Sequence, residues 1–278
     1  MATAPSSTSA APARRFERLL LTGGAGGLGR VLRPRLARLC RTLRVSDVVS
    51  MEAAGAGEEV VVAPLQDAAA VLALVAGVEA IVHLGGISVE GPFGPILEAN
   101  VVGVWNLYEA ARRHGTKRVV FASSNHVTGF YRQDEVIRPS DPMRPDGHYG
   151  LSKAFGENLS RFYFDRYGVE TVCLRIGSSF PEPKDRRMLA TWLSYDDLER
   201  LVVASLTAPT VGHSVVYGMS DNTTTWWDNT SAAHLGYRPR DSSEPFRAAA
   251  EAQQPVLDAN DPAMRFQGGA FVTRGPYE

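Results

Sequence analysis

The sequence predicts an α/β fold with a doubly wound parallel sheet, and three observations support that prediction. Short apolar segments alternate with longer segments whose apolar residues recur at helical spacing. The first of these segments, residues 19–21, is apolar at every position, as in a strand that is covered on both faces. A glycine-rich turn follows that segment and precedes a helical one. Such alternation indicates parallel strands joined by right-handed crossovers.

The predicted elements follow one another from residue 16. Strands are expected at residues 19–21, 45–49, 59–63, 80–84, 118–123 and 171–175. The first helix should present one apolar face, with a kink at Pro34, and that face consists of Leu28, Val31, Leu32, Leu36, Leu39 and Leu43. Further helices are expected at residues 68–75, 97–114 and 149–167. After Gly177 the alternation weakens. We therefore interpret the remainder as a small lobe that covers the substrate, within a single domain of residues 16–278.

Composition restricts the class of partner. The chain has 278 residues, 44% of them hydrophobic, which is enough for one large core. A formal net charge of -1 favours neither nucleic acid nor a membrane surface, so we expect a small-molecule partner. Cys40 and Cys173 show no metal-ligand spacing, which predicts no metal site and a cytoplasmic location. Residues 1–15 lack the apolar region of a secretory signal and are expected to form a disordered extension.

The glycine-rich turn has the pattern of a dinucleotide site. Glycines between a strand and a helix permit a tight turn and let a pyrophosphate approach the backbone. The phosphates then accept hydrogen bonds from amides at the helix N-terminus, where the helix dipole favours negative charge. The candidate cofactor residues in this turn are Gly23, Gly26, Gly27, Leu28 and Gly29.

An acidic residue, Asp47, stands at the end of the second predicted strand. A carboxylate there can accept the ribose hydroxyls of NAD and would repel the extra phosphate of NADP. A loop or helix-capping role is the alternative, and the nearby Arg44 weakens the case against NADP. The sequence therefore predicts NAD as the cofactor.

A tyrosine and a lysine lie four residues apart in the helix predicted at residues 149–167. Tyr149 and Lys153 therefore share one helix face, where an ammonium group should lower the pKa of the phenol and suit it to act as a base. Ser124 follows the fifth predicted strand, at the sheet edge where ligands bind. A surface Tyr/Lys pair is the alternative, and the presence of this serine argues against it.

Glycine turn, acid, serine and Tyr-x-x-x-Lys, in this order, resemble the extended short-chain dehydrogenase/reductase family. The resemblance implies a Rossmann-type fold and hydride transfer involving nicotinamide. It makes Tyr149 the catalytic base, Lys153 a ligand of the nicotinamide ribose, and Ser124 the residue that holds the reacting oxygen. It also adds Leu65 and Leu84 to the cofactor site, together with Asn100, which matches the family's usual structural asparagine. Pro64-Leu65 replaces the Asp-containing pair that contacts adenine in many relatives, so adenine must be held differently.

Several further stretches resemble the members of that family that oxidise uronic acids. These are residues 83–90, 123–126, 187–192, 226–229 and 265–269. The resemblance selects Arg187 over Arg186 as the ligand of a substrate carboxylate, a choice that residue type alone leaves open. The other substrate candidates are Ser88, Ser124, Asn125, His126, Tyr149, Ser178 and Phe266. His126 could equally be structural, and Trp226-Trp227 are expected in the core or in an oligomer contact.

Two other functions remain as alternatives. A nucleotide-sugar epimerase or dehydratase shares the turn and the tyrosine but usually needs a larger C-terminal lobe. A non-catalytic dinucleotide-binding regulator usually lacks the tyrosine or the lysine. The resemblance also implies a homo-oligomer formed through the helices at residues 97–114 and 149–167. The sequence does not distinguish glucuronate from galacturonate as substrate.

Overall fold

A seven-stranded parallel sheet forms the centre of the protein, with strand order β3-β2-β1-β4-β5-β6-β7. The structure, a computed structural model, describes residues 15–254, 258 and 260–277. The strands are β1 Phe16–Thr22, β2 Cys40–Asp47, β3 Glu58–Val62, β4 Ala80–His83, β5 Arg118–Ser124, β6 Glu170–Ile176 and β7 His213–Gly218. The strand order reverses between β1 and β4, which is the point where α/β sheets of this kind open a binding crevice.

Helices cover both faces of the sheet. The α-helices are α1 Gly27–Leu36, α2 Ala68–Val75, α3 Phe93–Ile96, α4 Gly103–His114, α5 His148–Tyr167, α6 Arg186–Thr191, α7 Tyr195–Thr207, α8 Arg247–Gln253 and α9 Pro262–Arg265. A π-helical segment, Leu97–Val102, joins α3 to α4, and 3-10 helices lie at Asn125–Thr128, Thr230–Leu235, Glu244–Phe246 and Gly269–Thr273. One apolar core lies under α1 and α7, and a second lies under α2, α4 and α5. The predicted doubly wound α/β fold is confirmed.

Two predictions about the first half of the chain were wrong. Helix α1 ends at Leu36, whereas the apolar pattern predicted that it would continue to Leu43. Leu43 lies instead in β2, which begins at Cys40 and ends at Asp47, so Val48 and Val49 are outside the strand. The apolar pattern continues across this boundary because α1 and the buried residues of β2 pack into the same core.

The segment after Gly177 also differs from the prediction. Strand β7 pairs in parallel with β6 over six residues, and α7 packs against α1. Part of the expected covering lobe therefore completes the sheet. The later residues, from α8 to the 3-10 helix at Gly269–Thr273, lie beyond this sheet. The predicted disorder of residues 1–15 concerns a segment of which only Arg15 is among the described residues.

Candidate active site

The cleft at the carboxyl ends of the strands has a volume of about 1090 Å³ and is lined by most of the residues that the sequence singled out. Among the candidates that line it are Gly23, Gly26, Gly27, Leu28, Gly29, Asp47, Leu65, Leu84, Ser88, Ser124, Asn125, His126, Tyr149, Lys153, Ser178 and Arg187. Asn100 and Phe266 are not among them.

The glycine turn fits closely against its neighbours. Gly23 has φ near +73°, and a Cβ there would lie 2.7 Å from the backbone nitrogen of Gly85. A Cβ on Gly29 would lie 2.0 Å from the carbonyl oxygen of Gly23. Only glycine allows this approach of helix α1 to the turn. The amides at the start of α1 can therefore face the pyrophosphate of a dinucleotide, so this part of the cleft fits NAD.

Asp47 lies at the end of β2, where NAD-selective enzymes place a carboxylate. Its Oδ2 accepts a hydrogen bond from the Ala25 amide at 3.0 Å, and its Oδ1 accepts one from Val48 at 2.7 Å. The carboxylate is thereby fixed beside the glycine turn. Arg44 is directed elsewhere, since its Nε lies 2.6 Å from Glu59 and its Nη1 donates to the Leu74 carbonyl. Arg44 is therefore engaged away from the position of a 2′-phosphate.

The adenine end of the cleft is mainly apolar. Val48, Val49, Ala63 and Leu65 line it, together with the side chain of Gln66. These groups can hold an adenine ring by packing in place of the acidic residue that many relatives carry there.

Asn100 has a structural role. Its Oδ1 accepts from the Ile87 amide at 2.8 Å, and its Nδ2 donates to the Ile87 carbonyl and to Ser152 Oγ, both at 2.9 Å. The fully satisfied amide therefore ties the loop that carries Ser88 to helix α5. The structure does not place Asn100 with the other cofactor residues.

Tyr149 lies in the first turn of α5, and Lys153 follows one turn later on the same face. The Lys153 Nζ lies 5.7 Å from the centre of the Tyr149 ring and 5.1 Å from that of Phe121. Burial raises the pKa of Tyr149 to about 12, although a hydrogen bond with Ser124 opposes that effect. Burial likewise lowers the pKa of Lys153 to about 8. The expectation of a lowered pKa for Tyr149 is wrong for this structure, because desolvation outweighs the effects that favour the phenolate.

Arg187 is a partly buried cation that lines the cleft. Its Nε donates to the Gln267 carbonyl at 2.6 Å, and its Nη1 lies 3.4 Å from Ser178 Oγ. With the Asn125 amide oriented to satisfy both of its ends, its Oδ1 accepts from Arg187 Nη2 at 2.8 Å. Burial lowers the pKa of Arg187, whereas the charges of Asp185 and Asp146 raise it. The guanidinium makes no ion pair with any described residue, so it is free to bind an anionic ligand in the cleft.

The neighbouring Arg186 differs from Arg187 because it has an ion-pair partner and lies outside the cleft. Its Nη1 lies 3.2 Å from Glu251 Oε1, and its Nε donates to the Gln254 carbonyl. Arg186 does not line the cleft. The structure therefore places Arg187, and not Arg186, in the cleft.

Phe266 lies apart from the other substrate candidates. Its backbone forms a bridge with Arg132, and its ring packs edge-on against Phe130, with 5.6 Å between ring centres. Phe271 occupies the cleft instead and stacks on His126, with 3.8 Å between ring centres. Sequence reasoning missed Phe271. Phe266 and Phe271 stand on either side of Gly268-Gly269, and the sequence does not show which of the two rings enters the cleft.

The two tryptophans belong to a small core. Trp227 stacks on Tyr217, with 4.7 Å between ring centres, and Trp226 is buried in the same cluster. Trp227 Nε1 donates to Gln267 Oε1 at 3.0 Å. This cluster therefore supports Gln267, whose carbonyl oxygen accepts the hydrogen bond from Arg187. The expectation of a core position is confirmed.

Fold and cleft together define the class of protein, an oxidoreductase-type Rossmann protein with a tyrosine, a lysine and a serine beside a dinucleotide site. Residues 19–206 match the model of the NAD dependent epimerase/dehydratase family. The chain belongs to this family, within the extended short-chain dehydrogenases/reductases.

Curated relatives and solved structures resemble the chain over nearly its whole length. It is 61% identical to a uronate dehydrogenase of Pseudomonas putida (94% of this chain, 98% of the relative) and 54% identical to one of Agrobacterium fabrum (92% and 97%). A variant of Agrobacterium tumefaciens uronate dehydrogenase complexed with NAD superposes with a TM-score of 0.91 at 53% identity, covering 94% of this chain and 98% of that one.

Among the described residues, no helix is long and apolar enough to cross a membrane. No cluster of three or more His, Cys, Asp or Glu side chains in that part of the chain could hold a metal ion.

Proposed function

We propose that this protein is an NAD-dependent uronate dehydrogenase that oxidises the anomeric carbon of D-glucuronate or D-galacturonate, in the ring form, to the aldarolactone. The observation that carries the proposal is the partly buried Arg187, which lacks an ion-pair partner among the described residues and shares one cleft with Tyr149. A uronate supplies the missing negative charge, and its anomeric hydroxyl then faces the tyrosine. The names of the closely related enzymes support the same substrate class.

The residues of the cleft divide the chemistry among them. NAD, when bound, supplies the carbon that accepts the hydride from C1 of the sugar. The phenolate of Tyr149 takes the proton of the C1 hydroxyl, so that the C1–O bond becomes the carbonyl of the lactone. Ser124 holds that oxygen by a hydrogen bond. Burial disfavours the Tyr149 phenolate, and both the hydrogen bond with Ser124 and the nearby ammonium group of Lys153 act against that effect before the phenolate takes the proton.

Arg187 fixes the other end of the sugar. Its planar guanidinium can bind the two oxygens of a carboxylate with parallel hydrogen bonds. The side chains of Ser178 and Asn125 lie beside it and can bind hydroxyls or share the carboxylate. Gln267 holds the guanidinium in place from behind. A neutral sugar would leave this partly buried cation without an anionic partner, so we expect uronates to be preferred over aldoses.

The proposal is tested by supplying purified protein with NAD and each uronate and following NADH absorbance, with Tyr149→Phe as the control. We expect NADH with wild type only, together with a lactone that hydrolyses to the aldarate. An epimerase would instead convert a nucleotide sugar without net NADH. The likeness of this chain to a solved UDP-galactose 4-epimerase, at 21% identity, concerns the fold alone. Absence of NADH with both acids would reject the dehydrogenase proposal.

The proposed assembly is a homo-oligomer that pairs α4 and α5 with the same helices of a second copy. These adjacent helices expose large apolar side chains, namely Trp105, Leu151, Phe155, Phe162 and Tyr167. A self-complementary interface with twofold symmetry would cover them. Light scattering after size-exclusion chromatography should give a multiple of the 30.1 kDa chain mass, and a 30 kDa particle would contradict the assembly. We also propose a cytoplasmic location, as the cysteine content predicted.

A further inference from the structure

His126 and Asp146 form a buried pair at the wall of the cleft. His126 lies in the 3-10 helix that follows β5, and Asp146 lies two residues before α5. The His126 Nδ1 is 2.7 Å from Asp146 Oδ2. The aspartate side chain has no exposed surface. Removing a carboxylate from water costs free energy unless hydrogen bonds inside the protein replace those with water.

Three glycines from separate parts of the chain make room for the carboxylate. A Cβ on Gly129 would lie 1.9 Å from Asp146 Oδ2, and a Cβ on Gly268 would lie 2.0 Å from it. A Cβ on Gly150 would lie 3.1 Å from the other oxygen, Oδ1. Oδ1 itself has no hydrogen-bond partner among the described residues. The bond to His126 is thus the one side-chain hydrogen bond that this buried group makes there.

Aromatic rings fix the orientation of the imidazole. Phe271 stacks on the His126 ring, with 3.8 Å between centres and 20° between planes. The Tyr149 ring meets it edge-on, at 5.8 Å between centres. With Nδ1 held by Asp146, Nε2 is the ring nitrogen that can serve a ligand in the cleft, since no described residue bonds to it.

The charge state of the imidazole follows from its surroundings. Burial lowers the pKa of His126, and Arg187 lowers it further, whereas Asp146 and Glu90 raise it. The net effect is a lowered pKa, so the ring is neutral at neutral pH. A neutral imidazole that donates its Nδ1–H to a carboxylate carries a lone pair on Nε2. Nε2 is therefore an acceptor and suits a hydroxyl better than a carboxylate.

We propose that Asp146 is a positioning residue that holds His126 in the Nδ1–H tautomer, so that Nε2 accepts a hydrogen bond from one ring hydroxyl of the sugar bound between Tyr149 and Arg187. The identity of the sugar rests on the proposed function, whereas the tautomer does not. A buried acceptor of this kind selects for the hydroxyl, because an analogue that lacks it leaves the lone pair without a partner.

The tautomer is tested first, in protein without substrate. Nitrogen-15 spectra of histidine-labelled protein should show His126 with a protonated, pyrrole-like Nδ1 and a pyridine-like Nε2. Asp146→Ala should convert the ring to a mixture of tautomers. Asp146→Asn carries an amide that can donate to Nδ1 as well as accept from it, so it should also fail to hold a single tautomer. An Nε2–H tautomer in the wild type, or an unchanged spectrum in Asp146→Ala, would overturn the proposal.

The selectivity is tested with uronates that lack one ring hydroxyl each. In the wild type, one deoxy analogue should lose roughly 10-fold or more in kcat/KM relative to the others. That penalty should fall to about 1-fold in Asp146→Ala and should also fall in Asp146→Asn. His126→Phe keeps a ring for stacking, removes Nε2 and should also abolish the penalty. An equal penalty in wild type, Asp146→Ala and His126→Phe would contradict the proposal.

A control variant separates this effect from general loss of stability. Asp197 is also completely buried, but it binds the amides of Arg240 and Asp241 outside the cleft. Asp197→Asn should lower the melting temperature and leave the deoxy penalty unchanged. If no uronate is oxidised by the wild type, the proposed function fails, and the nitrogen spectra still decide whether Asp146 sets the tautomer.

Discussion

Glu90 holds Tyr149 by its backbone, since the Glu90 Oε2 accepts the Tyr149 amide at 2.9 Å. Its Oε1 accepts the amide of His148 at the same distance. The carboxylate therefore satisfies two amides at the start of α5, where the helix dipole favours a negative charge. Glu90 belongs to the loop that also carries Ser88, and this contact connects that loop to the helix of the catalytic tyrosine.

Replacing Glu90 should impair catalysis more than cofactor binding. In Glu90→Gln one oxygen can still accept, but the amide group faces a second donor, so the start of α5 shifts. We expect kcat to fall roughly 10-fold and KM for NAD to change little, as measured by steady-state kinetics. Asp67→Ala removes a cap from α2, where Asp67 accepts from Ala69 and Ala70. This control should lose stability with kcat unchanged, and an equal loss of kcat would contradict the role of Glu90.

Lys153 should reduce the stability of the fold in a pH-dependent way. Burial lowers its pKa from 10.5 to about 8, so the folded state disfavours the charged form. The cost, roughly 3 kcal/mol, is fully present below pH 8 and disappears as pH rises toward 10.5. Lys153→Met should therefore raise the melting temperature at pH 7, give little gain near pH 10.5 and lose most activity.

Calorimetry across this pH range provides the measurement for Lys153→Met. Lys117→Met, at an exposed position, serves as the matched control and should change the melting temperature little at any pH. A pH-independent gain in Lys153→Met would show that packing, and not the buried charge, explains the difference.

Arg187 and Arg186 form an adjacent pair for testing carboxylate recognition. Arg187→Ala should raise KM for uronates roughly 100-fold and affect neutral aldoses far less, because only the acids use the guanidinium. Arg186→Ala loses its contacts with Glu251 and Gln254 at the surface and should leave both KM values near wild type. Equal effects of Arg187→Ala on acids and neutral sugars would argue against a carboxylate at this position.

Asp47 should determine the preference for NAD over NADP. Asp47→Ser removes the charge that would repel a 2′-phosphate, while a hydroxyl can still bind a ribose. We expect kcat/KM for NAD to fall roughly 10-fold and the ratio of NAD to NADP efficiency to fall further. Arg44→Ala should leave that ratio unchanged, because Arg44 is bound to Glu59 and to backbone carbonyls. A loss of NADP activity in Arg44→Ala would show that Arg44 does reach the phosphate.

The sequence predicted β1, β4, β5 and β6 because each contains a run of apolar residues that the sheet buries. Strands β2 and β3 were predicted from shorter valine-containing segments, and every residue of β3 stays at least partly exposed. Strand β7 was not predicted, since its central Val215-Val216 is flanked by His213 and Ser214 on one side and by Tyr217 on the other. Its identity as a strand depends on pairing with β6, which local sequence does not show. The end of α1 was misplaced because Leu39 and Leu43 continue the helical spacing of Leu36 from the following turn and strand.

The site was predictable where a local motif carried it and not where distant segments meet. The positions of Tyr149 and Lys153 follow from their spacing in one helix. The glycine turn is recognised from a short continuous segment between β1 and α1. Phe271 replaces Phe266 in the cleft because the chain turns at Gly269, whose φ is near +62°. A Cβ there would lie 2.5 Å from the Arg187 side chain. The pattern of apolar residues does not predict such a turn.

The most direct test of oxidation at C1 follows the hydrogen on the anomeric carbon. The protein is supplied with NAD and D-glucuronate that carries deuterium at C1, and the reduced cofactor is examined by mass spectrometry, with Tyr149→Phe beside it. We expect deuterium in the reduced cofactor and a slower rate than with unlabelled sugar. In Tyr149→Phe, the rate of cofactor reduction should fall at least 100-fold. Reduced cofactor without deuterium, or no reduced cofactor at all, would contradict oxidation at C1 by this site.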